Sequence, residues 1–288
     1  MLEHLIRVCA MGSAVLVALT LSACGSSKSA PATQVAVGGG IATSADPNFT
    51  AAIASYRAYL DDQTSQLVAA TGTLRDAIVA GDLPGARAGY IAARAIYGRI
   101  ASPAERFPAL ALEIDSQPLH GDVDPASGIH KVEYGLWSSN STDGLSSTAD
   151  KLVADVSTLR DQIMSISIDA IQMTDAYEQF VKHQFTLLHQ QEPYSQLDLL
   201  DHEAHVEGSR VVFDALRPAI EARSRDSATE IAAAFARVDA ALAPLKTGGS
   251  WVPWDSLTLA EKRQLSAPFD TLSSLLSMVA PLLKAPPL

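Results

Sequence analysis

The chain has 288 residues and a net charge of −11. That length suits one large domain or two fused halves, and the acidic balance argues against a nucleic-acid partner. Its two cysteines, Cys9 and Cys24, both fall near the start, so the rest of the sequence offers no thiolate metal ligand, cysteine nucleophile or disulfide.

Residues 1–23 read as a secretory signal: Arg7 precedes the apolar run "VCAMGSAVLVALTL", which ends in "LSAC". The run is too short and wrongly flanked for a membrane span. "LSAC" before Gly25 resembles a bacterial lipobox, with cleavage before Cys24 and lipid on its sulfur. The expectation is a chain anchored to the extracytoplasmic face of the bacterial cell membrane. Residues 24–47, rich in Ser, Ala and Gly without helical period, read as a flexible tether, and 48–288 as the folded domain.

From Asn48 the pattern is helical. Tyr56, Leu60, Leu67, Leu74 and Ile78 recur at spacings that share one helix face. "AGDLPG" breaks the run, with Asp82 as cap and Pro84 in the first turn of the next helix, which carries Tyr90, Arg94, Tyr97 and Ile100. "SPAERFPAL" marks a bend. Residues 111–127 read as irregular and hold Asp115, Asp122 and Asp124. "GIHKVEYGLW" (128–137) then forms a short helix, and "SSNSTDGLSS" a loop. Helices follow over about 147–166, 172–190, 197–222 and 226–245. "GGSWVPWDS" is a turn with Trp251 and Trp254 as packing anchors, and a last helix runs over 257–284. No convincing strand is visible, so the fold is all-α, built from packed bundles. "LRDAIVAGDLPGARAGY" (74–90) aligns without gaps on "LRPAIEARSRDSATEIA" (216–232), which hints at two related bundle halves.

Three stretches could carry chemistry. His130 and Glu133, at i and i+3, share a helix face and can point at one ion. An imidazole with carboxylates suits Fe, Zn, Mn or Cu, and the absence of thiols tilts the choice to harder metals. By spacing alone, a packed polar pair remains the commoner meaning of H-x-x-E. "DLLDHEAHVEG" (198–208) sets Asp198 with His202 and Asp201 with His205 at i,i+4; the favoured reading is a solvated charged face. Glu192, before Pro193 at a helix end, gains nothing from the helix dipole and so is a better ligand candidate than an average surface glutamate. There is no G-x-S-x-G, P-loop, dinucleotide fingerprint or H-E-x-x-H.

Taken together, these stretches resemble the imelysin-like domain of the EfeO/EfeM family of bacterial iron-uptake proteins. "GIHKVEYGLW" resembles the family's G-[FIW]-H-x-[IV]-E-x-x-LW segment, "EPYSQLDLLDHEAHVEG" its E-x-YS-x-x-DLWD segment, and "GYIAARAIYGRIASPAERF" its Y-x-x-AR-x-x-YERIEP segment. The likeness covers about residues 50–285. It implies an all-α fold of two bundle-like halves, and a protein that binds iron or another metal ion, divalent or ferric, outside the cytoplasm for import through a membrane permease. Where longer members carry a cupredoxin domain this chain has only the tether, so it resembles the short form. Carried over by position, the resemblance makes His130, Glu133, Asp115 and Glu192 the metal ligands. The sequence departs from the family at Gly98 and Ala101, where "YERIEP" supplies two glutamates. Fewer anionic ligands imply lower affinity or altered selectivity, with zinc and manganese as other candidate ions.

The expectation is therefore a membrane-anchored binding component of an iron-uptake system rather than an enzyme. A structural or docking lipoprotein with a degenerate site is the alternative. A metallopeptidase is a third reading; it needs an open water position and a general base, and no separate base can be assigned.

Overall fold

The computed structural model describes residues 46–116, 127–177 and 192–287. The signal segment, Cys24 and nearly all of the tether lie outside the described residues, as do Asp122, Asp124 and most of the helix expected over 172–190.

Helix α1 spans Pro47–Val79. Asp46 caps it, its Oδ1 accepting the Asn48 N–H at 2.9 Å, and Pro47 fills a first-turn position where no N–H is needed. The expected stripe from Tyr56 to Ile78 is buried. Helix α2, Leu83–Arg99, starts as the sequence predicts: Asp82 Oδ1 accepts the Gly85 N–H at 3.0 Å. The bend after it is two short helices, α3 at Ala101–Glu105 and α4 at Pro108–Asp115. This corrects the irregular reading of residues 111–115. Pro108 is preorganised for a first helical turn, and the Ala and Leu that follow favour its continuation. Helix α5 is Gly128–Glu133 and runs on into a π-helical turn, Tyr134–Ser138. Helix α6 spans Ser146–Ser165, and a 3-10 turn, Gln172–Thr174, follows.

Among the described residues, helices α7, Asp198–Glu221, and α8, Arg225–Leu242, come next. The expected turn after them holds a minimal antiparallel ladder, β1 at Lys246–Thr247 and β2 at Ser250–Trp251, pairing Lys246 with Trp251 and Thr247 with Ser250. Gly248 and Gly249 form its tip with φ of 61° and 85°, a conformation that glycine adopts without steric cost. Strands of two residues were below what sequence period can detect, and they leave the fold all-α. The last helix divides into α9, Leu259–Ser277, and α10, Val279–Lys284. The division has a local cause: the Pro281 ring opposes the carbonyl four residues back, that of Ser277.

Helix α1 packs on α2 and α6, while α7 lies against both α1 and α2 and carries α8, which in turn holds α9. The buried apolar side chains form one continuous core. The repeat seen in the sequence is structural at its turn. In the ungapped alignment, Val79 and Glu221 end their helices, Asp82 and Ser224 are the caps, and Leu83 and Arg225 begin the next helices. Ser224 caps as Asp82 does, and accepts the Ser227 N–H at 3.1 Å. Among the described residues, no helix is long and apolar enough to cross a membrane.

Candidate metal centre

The centre begins with a glycine. Gly128 has φ +70°, and a Cβ on it would stand 2.5 Å from the Ile114 carbonyl oxygen. Only a residue without a side chain lets the start of α5 lie this close to the end of α4. That approach sets Asp115, last in α4, against His130 in the first turn of α5: Asp115 Oδ1 is 3.2 Å from His130 Nε2. The other ring nitrogen, Nδ1, is 2.9 Å from Glu133 Oε2. His130 is thus held between two carboxylates. Both His130 and Glu133 are fully buried.

The segment before α7 supplies the opposite wall. Glu133 Oε1 accepts the Tyr194 N–H at 3.1 Å, the Ser195 N–H at 2.8 Å and the Ser195 hydroxyl at 2.8 Å. Three donors on one oxygen fix the carboxylate's direction. The neighbouring Gln196 takes a left-handed φ of 63°. Its side chain is anchored on Asp255, accepting the Asp255 N–H at 2.9 Å and donating to Asp255 Oδ2 at 3.1 Å. Glu192, also fully buried, accepts the Tyr90 hydroxyl at 2.5 Å and has its Oε1 2.6 Å from Arg94 Nε. The Glu192 N–H donates to Asp198 Oδ1 at 3.2 Å.

His130, Glu133 and Glu192 each bring one ligand-type atom to within 4.8 Å of the others. Bonds of ~2.2 Å to one ion place its ligand atoms at most ~4.4 Å apart, so a small inward movement of the side chains completes a three-ligand cradle. Asp115, less buried than these three, stands outside this triangle on the far nitrogen of His130.

The charges lean on one another. Burial alone would lower the His130 pKa, but the hydrogen bonds to Asp115 and Glu133 overcome it and push the value up to about 10. Burial raises Glu192 to about 8, with Arg94 opposing and Glu133 adding to the rise. Burial would also raise Asp115, yet Arg94 and His130 hold it below the usual carboxylate range. These contacts favour the protonated imidazole of His130 in the metal-free protein.

The stretch 198–208 is not the solvated face expected. Asp198, Asp201 and His202 are all buried. The cause is the position of α7 between α1, α2 and α8, which leaves it little free surface. His202 packs edge-on against Trp254 at 5.5 Å and Phe269 at 6.1 Å, and Trp254 is the fully buried anchor expected. His205 Nδ1 bonds the Asp201 carbonyl at 2.8 Å. Helices α2 and α7 approach through small residues: a Cβ on Gly98 would lie 2.8 Å from that of Ala204, and one on Gly208 2.3 Å from the Arg99 carbonyl oxygen. Gly98 therefore has no room for a longer side chain unless α7 shifts. Ala101 is buried in α3, and Glu105 ends that helix.

Of the four residues named from the sequence, the structure unites three in one triangle and places the fourth beside it. It adds Tyr90, Arg94 and Ser195, which sequence reasoning left as helix face and motif filler. The signal for the first two was present: Tyr90 and Arg94 are i,i+4 partners, and an arginine in a buried stripe requires an anionic partner.

An all-α bundle whose buried histidine and carboxylates come from G-x-H-x-x-E and E-x-Y-S segments defines a class, and the chain belongs to the imelysin family, whose pattern matches residues 52–279. Among known proteins it is 32% identical over 228 residues to the protein named "Iron uptake system component EfeO" of Escherichia coli O157:H7, and to the same-named proteins of Escherichia coli K12 and Shigella flexneri. The match covers 77% of this chain and 61% of those relatives, so the chain spans about three fifths of their length.

Proposed function

We propose that this protein is the metal-binding component of a bacterial iron-uptake system. It holds its cargo ion through His130, Glu133 and Glu192, with Asp115 on the far nitrogen of His130. The convergence of three buried ligand-type side chains from two separate segments carries this reading. A single helix face can bring two such groups together by accident of spacing; burying a third from another segment is costly unless the groups share a purpose. The relatives' name, iron uptake system component, makes iron the favoured ion over zinc or manganese, and an imidazole with carboxylates suits that choice. The proposal includes a signal peptide over 1–23, lipid on Cys24, a tether over 24–47, a place on the extracytoplasmic face of the cell membrane, and delivery of the ion to a membrane permease. It describes a carrier, not an enzyme.

The residues divide the work. Ser195 and the Tyr194 N–H aim Glu133, Tyr90 aims Glu192, and Gly128 sets Asp115 against His130. Taking up an ion requires His130 to give up a proton, so binding is coupled to proton release.

The test is calorimetric titration of the chain from residue 25 onward with Fe²⁺ under anaerobic conditions, and with Zn²⁺ and Mn²⁺. Saturable binding that the His130→Ala/Glu133→Ala variant loses is the expected result. No binding by a well-folded wild type would remove the carrier reading. It would favour the docking lipoprotein, for which the closed space at Gly98 is the supporting observation.

A further inference from the structure

Arg94 is 3% exposed and sits at the inner face of α2 with its fork spread over three carboxylates. Its Nη1 donates to Asp115 Oδ1 at 2.6 Å, its Nε lies 2.6 Å from Glu192 Oε1, and its Nη2 lies 3.0 Å from Asp201 Oδ1. The carboxylates come from α4, from the turn before α7 and from α7 itself. Glu192 is a ligand of the proposed ion site, and Asp115 holds the far nitrogen of its His130. A rigid planar fork suits such a junction, and a point-charge ammonium could not reach three acceptors in this way.

We propose that Arg94 is the resident counter-cation of the site: an incoming metal ion competes with it for Glu192 and is repelled by its charge, so the guanidinium limits affinity and keeps the ion releasable. This rests on the metal-binding reading above. The argument is one of charge. Buried carboxylates need compensating cations, and without metal Arg94 supplies one beside the protonated His130. A bound divalent ion brings more positive charge than the proton His130 gives up, so the protein needs Arg94 less when loaded than when empty. Like charges a few ångströms apart in a dry interior repel strongly, and the guanidinium therefore weakens cation binding. A mere structural strut would behave differently. Its loss would loosen the carboxylates and weaken binding, or leave binding unchanged.

The experiment titrates Zn²⁺, an air-stable probe, into the wild type, Arg94→Gln, Arg94→Lys and Arg94→Gln/Asp201→Asn, with thermal unfolding of each protein with and without the ion. Arg94→Gln is expected to melt lower when metal-free, to gain more Tm from the ion than the wild type does, and to bind about tenfold tighter or more. Arg94→Lys loses the fork, and is expected to melt lower when metal-free, but it keeps the repelling charge; its Kd is therefore expected within about threefold of the wild-type value, far from the tightening of Arg94→Gln. The double variant removes one carboxylate with the guanidinium. It restores the charge balance, recovers metal-free Tm, and returns the Kd toward the wild-type value.

Folded Arg94→Gln binding no tighter than the wild type would overturn the proposal. If Arg94→Gln fails to fold, the other two variants decide: a Kd weakened tenfold in Arg94→Lys, or no recovery of fold and binding in the double variant, would overturn it equally. A wild type that binds no Zn²⁺, Mn²⁺ or Fe²⁺ sinks the metal-binding reading itself, and is told apart by needing no variant at all.

Discussion

Two stretches of this chain carry histidine and acid at helical spacing, and they come to different ends. On α5, His130 and Glu133 meet Glu192 from the turn before α7 and Asp115 from α4. On α7, His202 is spent on aromatic packing with Trp254 and Phe269, and His205 on a backbone carbonyl one turn earlier. Both stretches are largely buried, so burial does not distinguish them. What distinguishes them is what converges on the histidine: His130 is met by carboxylates from other elements, whereas His202 meets aromatic rings and His205 a backbone carbonyl, and the acids of that stretch, Asp198 and Asp201, face the Glu192 N–H and Arg94.

The sharpest way to break this comparison is to disable each stretch in turn. His130→Ala/Glu133→Ala is expected to lose measurable ion binding, a drop of about a thousandfold or more from two missing ligands, in calorimetry. His202→Ala should keep the wild-type Kd but unfold more easily, by roughly 1–3 kcal/mol in denaturant titration, for the lost packing. The reverse pattern would move the site to α7.

Glu192→Gln tests whether the third ligand counts. It keeps the shape and removes the charge, and binding should weaken about 10–100-fold, since ligand charge sets affinity for hard cations. Equal affinity would reduce the centre to a His–Glu pair.

Proton linkage gives a smaller, graded effect. His130 has a folded pKa of about 10 against 6.5 for the free side chain. A raised pKa means stability that is fully present below pH ~6.5 and lost as pH rises toward about 10. The metal-free protein should therefore become less stable across that window, while ion affinity rises by up to about tenfold per pH unit as proton competition fades. Glu192, raised to about 8, adds to both trends in the lower part of the window. An unperturbed histidine would instead confine the change to pH values near 6.5. Calorimetry in buffers of different ionisation enthalpy measures the protons released.

The smallest effect belongs to the scaffold. Gly128→Ala places a methyl group against the Ile114 carbonyl at a left-handed φ, and should cost about 1–3 kcal/mol of stability in denaturant titration, with a several-fold weaker Kd as Asp115 and His130 part. Gly144, also at positive φ but with open space around it, is the control: alanine there should leave the Kd unchanged.

Much of this architecture was readable before the structure. Asp82 with Pro84 announced the α1–α2 turn, and the stripe from Tyr56 to Ile78 announced the buried face of α1, because capping and period are local properties. Glu192 stood out by its place at a helix end, but its grouping with His130 and Glu133 was reached only through the resemblance, since those two say nothing by themselves about a residue 59 positions after Glu133. The inward turn of Asp198, Asp201 and His202 was not readable. Their spacing fits a solvated face equally well, and only the neighbours of α7 decide. Arg94 was overlooked because the periodicity that placed it on a buried face gave no reason to ask what its charge was for.

X-ray absorption at the iron edge of the loaded protein, compared with its His130→Ala and His202→Ala variants, tests the central claim most directly. The account predicts a shell of oxygen ligands with one imidazole, and an imidazole signal that vanishes in His130→Ala and persists in His202→Ala. An iron shell without imidazole in the wild type, or an imidazole that survives His130→Ala, would contradict it.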